Sequence, residues 1–470
     1  MVRRNEVGNR RGRRGGGGAV VALGLLLGGL GLATPARGGE EEPEGGTTTG
    51  AQPEGAEAEE EELDPNRWEP AAIPAINYSS DIGLGFGAVG TLARFEEGFN
   101  PYRARIQLLV FMAAKQDATG TIGIPFHDHA VQLDLPGLWD DLLRINLRLA
   151  FGRYTNTGYY GLGNASEARS FSDAELEESE VARRYHTYEL TNPNGQLNGR
   201  FKLFETPSPE GRRRLEALVG VSAAYSWINR YEGSKLAQDV ALAASDTPDG
   251  RTLDELLHGT GDHAFLAFNT GLLWDTRDHE YAPNRGTFTE LSAQWSPGVD
   301  ADLRYIQVFL GTRWFAPIVH EVLVVATRVA ADGLIGDPPL GKESLFGVLQ
   351  PSRGPGGAAS VRGVAQGRYH GKIKTLLNVE VRGSFPRVEV WGDRLRFGLL
   401  GFADAGRVWA DWRSRSVAGV ALDGPYSPFK VGVGGGGRIQ WGETFVLRAD
   451  FGYSPTDETT GFYIDIGHVF

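Results

Sequence analysis

The feature that most constrains this chain is a strand-length alternation that recurs without interruption from Trp68 to Phe470. Runs of roughly ten residues place apolar side chains at every second position, separated by Gly, Pro, Asp and Asn clusters. The clearest runs are 82–95, 103–115, 142–153, 215–229, 265–275, 287–295, 303–315, 321–331, 372–384, 394–407, 429–440, 444–453 and 462–470. With 72–80, 121–135 and a weaker run over 185–204 the count is sixteen, and no sustained helical period interrupts them. An even number of strands of this length predicts an all-β fold: a sixteen-stranded antiparallel transmembrane β-barrel of the outer-membrane kind.

The connections sort by parity. With the amino end on the periplasmic side, every second connection faces outward, and these include the four longest: 154–183, 230–262, 333–370 and 408–428. The inward ones (96–102, 136–141, 206–213, 276–284, 316–320, 385–393 and 441–443) are short. Short periplasmic turns with long external loops are a property of transmembrane barrels, and a soluble sandwich has no reason to sort its loops this way. Trp and Tyr collect near strand ends, as interfacial girdles require.

Ahead of the barrel, residues 1–36 read as an export signal, with six arginines before a short Gly-broken apolar run. Residues 37–70 read as a disordered acidic linker and 71–470 as the barrel. The chain carries −12; residues 1–36 contribute +5 and 37–64 contribute −10, so residues 65–470 carry −7. That balance offers no basic surface for nucleic acid. Export places the protein outside the cytoplasm, and the absence of cysteine fits an oxidising compartment.

Four residues carry charge where a barrel wall or loop must accommodate it. Arg362 lies between Val361 and Gly363 in the Gly/Pro-rich loop 333–370. Glu380 and Arg382 share the polar face of the next strand. Asp404 lies in the apolar segment Gly401-Phe402-Ala403-Asp404-Ala405-Gly406 of the run 394–407. Arg362 is either a solvated loop arginine or a group that meets Glu380 or Asp404, and a barrel fold decides between them. The last run puts Phe462, Ile464, Ile466 and Phe470 on one face, with His468 interrupting the row at the membrane boundary. A row closed by terminal Phe is the form that outer-membrane barrels present to their assembly machinery.

Catalytic and metal chemistry find little support, so the chain is not expected to be an enzyme, and no cofactor or metal is expected. His127 and His129 alternate to one face and Asp128 to the other, so the three do not converge on a metal. Residues 432–437 are Gly-rich but open no helix, which suits close strand packing rather than a phosphate loop.

The order of short motifs resembles the bacterial surface antigen superfamily, which includes the outer-membrane insertases and two-partner secretion transporters. Tyr159-Tyr160-Gly161-Leu162-Gly163-Asn164 resembles its early-loop motif. Asp275-Thr276-Arg277-Asp278 with Pro283-Asn284-Arg285-Gly286-Thr287 resembles its mid-barrel periplasmic turn. Val361-Arg362-Gly363 matches its sixth-loop motif, and Glu380-x-Arg382, the segment Phe402 to Gly406 and Ile466 to Phe470 complete the series. The resemblance implies that the sixth outer loop folds into the lumen and that Arg362 contacts acidic lumen residues, with Asp404 the best positional match. It also implies a role in polypeptide insertion or translocation at the outer membrane, with polypeptide clients, surrounding lipid and the assembly machinery as partners. The contrasting reading is a passive pore or structural barrel. Two departures stand out: only the acidic linker precedes the first strand, where relatives carry polypeptide-binding modules, and Val364 replaces an aromatic residue, which implies a loosely packed loop tip.

Overall fold

The computed structural model describes residues 64–470 apart from 80–82, 100, 117–121, 209–210, 320–321, 391–392, 425–427 and 443–444. The expected signal and residues 37–63 of the acidic linker therefore lie outside the described residues. One sixteen-stranded antiparallel sheet dominates, each strand bonded to its neighbours in chain order. Its first half comprises β1 Trp68–Ser79, β2 Gly83–Arg94, β3 Ala104–Gln116, β4 Ile122–Gly137, β5 Leu143–Gly158, β6 Thr187–Ser208, β7 Gly211–Asn229 and β8 His263–Asp275. The second half comprises β9 Gly286–Pro297, β10 Arg304–Val319, β11 Leu323–Gly336, β12 Ile373–Val390, β13 Asp393–Trp409, β14 Lys430–Trp441, β15 Phe445–Ser454 and β16 Thr459–Ile466.

The alternation builds a sheet whose apolar face is the exposed one. Along β10, Ile306, Val308 and Leu310 are 43–50% exposed, whereas Tyr305, Gln307 and Phe309 between them are at most 8% exposed. The same inversion places Leu291 and Trp295 outside, with Glu290, Ser292 and Gln294 of β9 buried. In water this arrangement would forfeit the hydrophobic gain on every strand; against lipid it is the favourable one.

The polar face is concave. The turn between β8 and β9 crosses to the start of the sheet, where Tyr281 stacks on Tyr102 at 6.0 Å and Glu280 accepts hydrogen bonds from Arg144 of β5. Gly286 makes that turn possible, with φ +96° and no room for a Cβ, which would come within 2.2 Å of the Thr276 carbonyl oxygen. Arg144 holds the Glu280 carboxyl well below the usual carboxylate range against the opposing effect of burial. The two ends of the sheet also approach, since the Glu69 carboxylate lies against Gly442 in the β14–β15 turn. Among the described residues, however, no ladder joins β1 to β16.

Several boundaries differ from the sequence reading. The sheet begins at Trp68, so 68–70 belong to β1 and not to the linker; the Arg94 guanidinium covers the Trp68 ring at 5.6 Å. The weak run becomes β6, the longest strand at 22 residues, its apolar signal diluted by three asparagines and two glycines. Short helices do occur in the β7–β8 connection, Lys235–Ala243 and Pro248–Asp254, with Ser234 and Thr247 as side-chain N-caps. At nine and seven residues they are too brief to establish a period. Their Leu236 and Leu253 join Tyr159, Leu162, Tyr188, Leu340 and Ala410 in one apolar cluster over the long-loop end of the sheet.

Candidate functional site

Between β11 and β12, residues 337–372 lie against the polar face. Gln196 of β6 donates to the Val348 carbonyl at 2.6 Å, and the Leu349 amide donates to Glu290 of β9 at 3.0 Å. Val361, Val364 and Tyr369 are fully buried with Phe309, Phe346, Leu376 and Val408. The loop tip is therefore tightly packed. Val364 fills its place without an aromatic ring because Val361 and Val408 close on it from the same cluster, contrary to the looseness expected there.

Arg362 is fully buried and surrounded by acids from three strands. Its Nε and Nη2 donate to the two oxygens of Asp404 on β13 at 2.8 and 3.0 Å. Nη1 donates to Glu380 of β12 at 2.7 Å and to Asp450 of β15 at 3.3 Å. The Arg362 amide also donates to Asp404, at 3.1 Å, and the guanidinium carbon sits 3.4 Å from the centre of the Phe402 ring. The fork on Asp404 is the bidentate geometry that gives arginine its advantage over lysine. Burial works against the Arg362 charge, but the hydrogen bonds and charges of Asp404, Glu380 and Asp450 outweigh it and raise the pKa above its ordinary value.

The acids are held from behind. Arg382 donates to Glu380 at 2.8 Å, Arg438 and Arg448 both donate to Asp450, and Asn378 bridges Asp404 and the Ser360 carbonyl, each at 2.7 Å. Glycines give the loop its close approach. A Cβ on Gly432 would lie 1.9 Å from the Arg362 carbonyl oxygen, and one on Gly406 would lie 2.9 Å from Val361. Gly363, at φ +97°, donates its amide to Tyr463 of β16 at 2.9 Å and accepts from Thr459 at 2.6 Å. The site thus ties one loop to β12, β13, β15 and β16.

Val361, Arg362, Gly363, Glu380, Arg382, Asp404 and Gly406 are brought together here. Asp450 was missed; its signal was the Arg448-x-Asp450 alternation, which reads equally well as a solvated face. The terminal row behaves differently from its expectation. Phe462 and Ile464 are exposed on the apolar face, at 50% and 48%, but β16 stops at Ile466. Gly467, at φ +83°, turns the chain inward, and Phe470 packs on Phe315, Val324 and Ala326. Its carbonyl accepts from Arg382 at 3.1 Å, so Phe470 does not extend the row. His468 leaves the row too, half-buried where desolvation, then Arg382 and Arg438, push its pKa well below the ordinary value. Among the described residues, no three His, Cys, Asp or Glu side chains gather as a metal site.

Against known proteins, the model of the Omp85 superfamily domain matches residues 220–470, more than half of the chain. Among solved structures, CdiB from Escherichia coli aligns with a TM-score of 0.50 and 13% identity, over 86% of this chain and 63% of that one. BamA from Haemophilus ducreyi lacking POTRA domains 1-3 gives 0.46 at 13% identity, over 86% and 70%. CdiB from Acinetobacter baumannii gives 0.44 at 13%, over 86% and 60%. The chain therefore spans less than two thirds of either CdiB. No curated protein sequence matches significantly.

Proposed function

The chain belongs to the Omp85 superfamily, and from that premise we propose that it handles polypeptides, inserting them into the outer membrane or moving them across it, through a plugged barrel. It is a β-barrel protein of the bacterial outer membrane. In this reading the sheet closes edge to edge, its polar face lines the lumen, and residues 337–372 are the plug. A barrel of this size encloses an aqueous channel unless something fills it.

The observation that carries the reading is the buried latch at Arg362, which fixes the plug to the wall through three carboxylates. Its neighbour Gly363 grips β16, the strand next to the seam at which no ladder to β1 is recorded among the described residues. A plug attached to a weakly paired edge suits a wall that opens sideways for a polypeptide. Clients would be unfolded polypeptides, the surrounding solvent is outer-membrane lipid, and the chain itself meets the assembly machinery during biogenesis. No catalytic step is required. The passive-pore reading is less well supported, because contacts from 337–372 reach strands from β6 to β16 and an apolar cluster covers the long-loop end.

Bilayer recordings on the purified protein separate the two. The plugged transporter gives low, flickering conductance that rises when 337–372 is deleted. A steady, high conductance from the intact protein would establish the pore instead.

A further inference from the structure

The histidine pair of β4 plays no part in the latch. His127 and His129 face the apolar side of the sheet, with Asp128 turned to the polar side beside Tyr154. In the ladder, His127 stands opposite Arg153, Arg153 opposite Thr191, and Thr191 opposite Trp227. One step along, His129 pairs with Phe151 and Phe151 with Pro193. His127 Nδ1 and His129 Nε2 are 3.4 Å apart, and the His129 ring lies parallel to Phe151 at 6.3 Å. His129 Nδ1 is buried with no hydrogen-bond partner among the described residues. Arg153, 40% exposed, is held by Glu189 at 2.8 Å, which leaves part of its guanidinium open.

Beside the pair runs a shallow groove of about 630 Å³, almost wholly apolar. Leu149, Phe151 and Tyr225 form its ridges, and Pro193, Gly195 and Ala223 its floor. Its position along the wall follows from strand length. Trp139, 70% exposed in the β4–β5 turn, marks one interface, and His129 lies ten residues away in sequence. A membrane-crossing strand needs about 9–11 residues, so the pair stands at the opposite, outer headgroup level. The groove spans β3 to β7, about 19 Å at the usual strand spacing, which is wide enough for acyl chains side by side.

We propose that β3–β7 carry a docking site for a phosphorylated, multi-acylated glucosamine lipid of the lipid A class. Its acyl chains lie in the groove, and a phosphate is received by the one N–H that the His127–His129 hydrogen bond leaves free, together with Arg153. Imidazole and guanidinium donors at the edge of an apolar groove complement a phosphate above acyl chains. Their place at the outer headgroup level selects the outer-leaflet lipid over an inner-leaflet phospholipid. The site rests on the outer-membrane reading above, and its orientation is tested separately by tag exposure in 230–262 on intact cells.

The full chain, purified in detergent, is mixed with bisphosphorylated hexa-acyl lipid A and examined by native mass spectrometry. One lipid A is expected to be retained. His127→Ala/His129→Ala and, separately, Ala223→Phe should each lower occupancy at least fivefold, with both variants keeping heat-modifiable electrophoretic mobility as proof of a folded barrel. Dephosphorylated lipid A and phosphatidylglycerol should bind at least fivefold more weakly to the unsubstituted protein. Unchanged occupancy in the double variant, equal retention of phosphatidylglycerol, or no retained lipid overturns the proposal. Hidden tags would instead refute the orientation while leaving the mass-spectrometric result intact.

Discussion

Replacing Arg362 with alanine tests the latch most directly, and the structure sets the size of the effect. Breaking a buried ion pair by removing one partner costs about 3–5 kcal/mol, mostly because the other charge is orphaned. Here the orphaning is partial. Glu380 keeps Arg382, and Asp450 keeps Arg438 and Arg448. Only Asp404 loses its forked partner, and it retains Asn378 at 2.7 Å. The cost therefore falls at the low end, about 3 kcal/mol, or roughly a hundredfold shift toward a released loop. Trypsin reads that shift, because 337–372 contains Lys342, Arg353 and Arg368, and cleavage tracks the open population when closing is fast. Arg362→Ala should be cut about a hundred times faster than the parent while the barrel stays folded. Asp404→Ala should behave similarly, and the double variant should be little worse than either single one, since both remove the same contact. Additive effects, or a parent loop already cut at the variant's rate, would return Arg362 to the class of solvated loop arginines.

Other expectations follow from neighbouring groups. Glu343 in the loop is buried with both carboxylate oxygens unpartnered among the described residues; burial, partly offset by Lys372 and Lys374 and aided by Asp411, pushes its pKa up to about 8. The folded state then holds a proton that the unfolded chain releases near its ordinary pKa. Stability should fall by roughly 1.4 kcal/mol per pH unit between the unfolded value and about 8, and Glu343→Gln should flatten the thermal-unfolding profile over that window. Gly432→Ala drives a methyl into the Arg362 carbonyl, so it should cost about 1–3 kcal/mol of loop docking and raise trypsin cleavage without touching a charge. Tags in 230–262 and 408–428 should be accessible on intact cells, and tags in 385–393 only after the outer membrane is broken; the reverse pattern refutes the orientation. Cysteine pairs across β1 and β16, in a chain with no cysteine of its own, should cross-link and abolish function with the barrel folded, whereas unaffected activity would sink the sideways-opening idea.

The strands were legible because a wall between lipid and a polar interior imposes period two on every run, and β10 shows that alternation in its burial pattern. Glu380 and Asp404 were legible for the same reason, as charges at polar-face positions of neighbouring strands. Asn378, directly opposite Asp404 in the β12–β13 ladder, shares that face. The docking of 337–372 came from motif resemblance, since nothing in a Gly/Pro-rich composition says where a loop goes. Asp450 was not legible, because its meeting with Arg362 depends on sheet curvature that brings β15 to the same loop as β12. Phe470 was misplaced by carrying alternation through Gly467, whose left-handed backbone ends it.

That inward turn bears on how the plug and the edge strand depend on each other. β16 offers eight residues for pairing and β1 offers twelve, two of them prolines without an amide hydrogen, so any ladder between them is short. What holds β16 from inside is the latch. Gly363 bonds Tyr463 and Thr459 of the strand, and the chain beyond it returns through Phe470 to Arg382, from Arg382 to Glu380, and from Glu380 to Arg362. Both ends of the edge strand therefore connect to the pair Arg362–Gly363, one through the Gly363 backbone and the other through Glu380 to the guanidinium. If residues 337–372 plug the barrel as proposed, releasing Arg362 would remove the support of β16 together with the plug, and channel opening would be coupled to edge loosening. The coupling is reciprocal: a polypeptide that captured β16 as a pairing edge would pull on Tyr463 and Thr459, and through Gly363 on the latch.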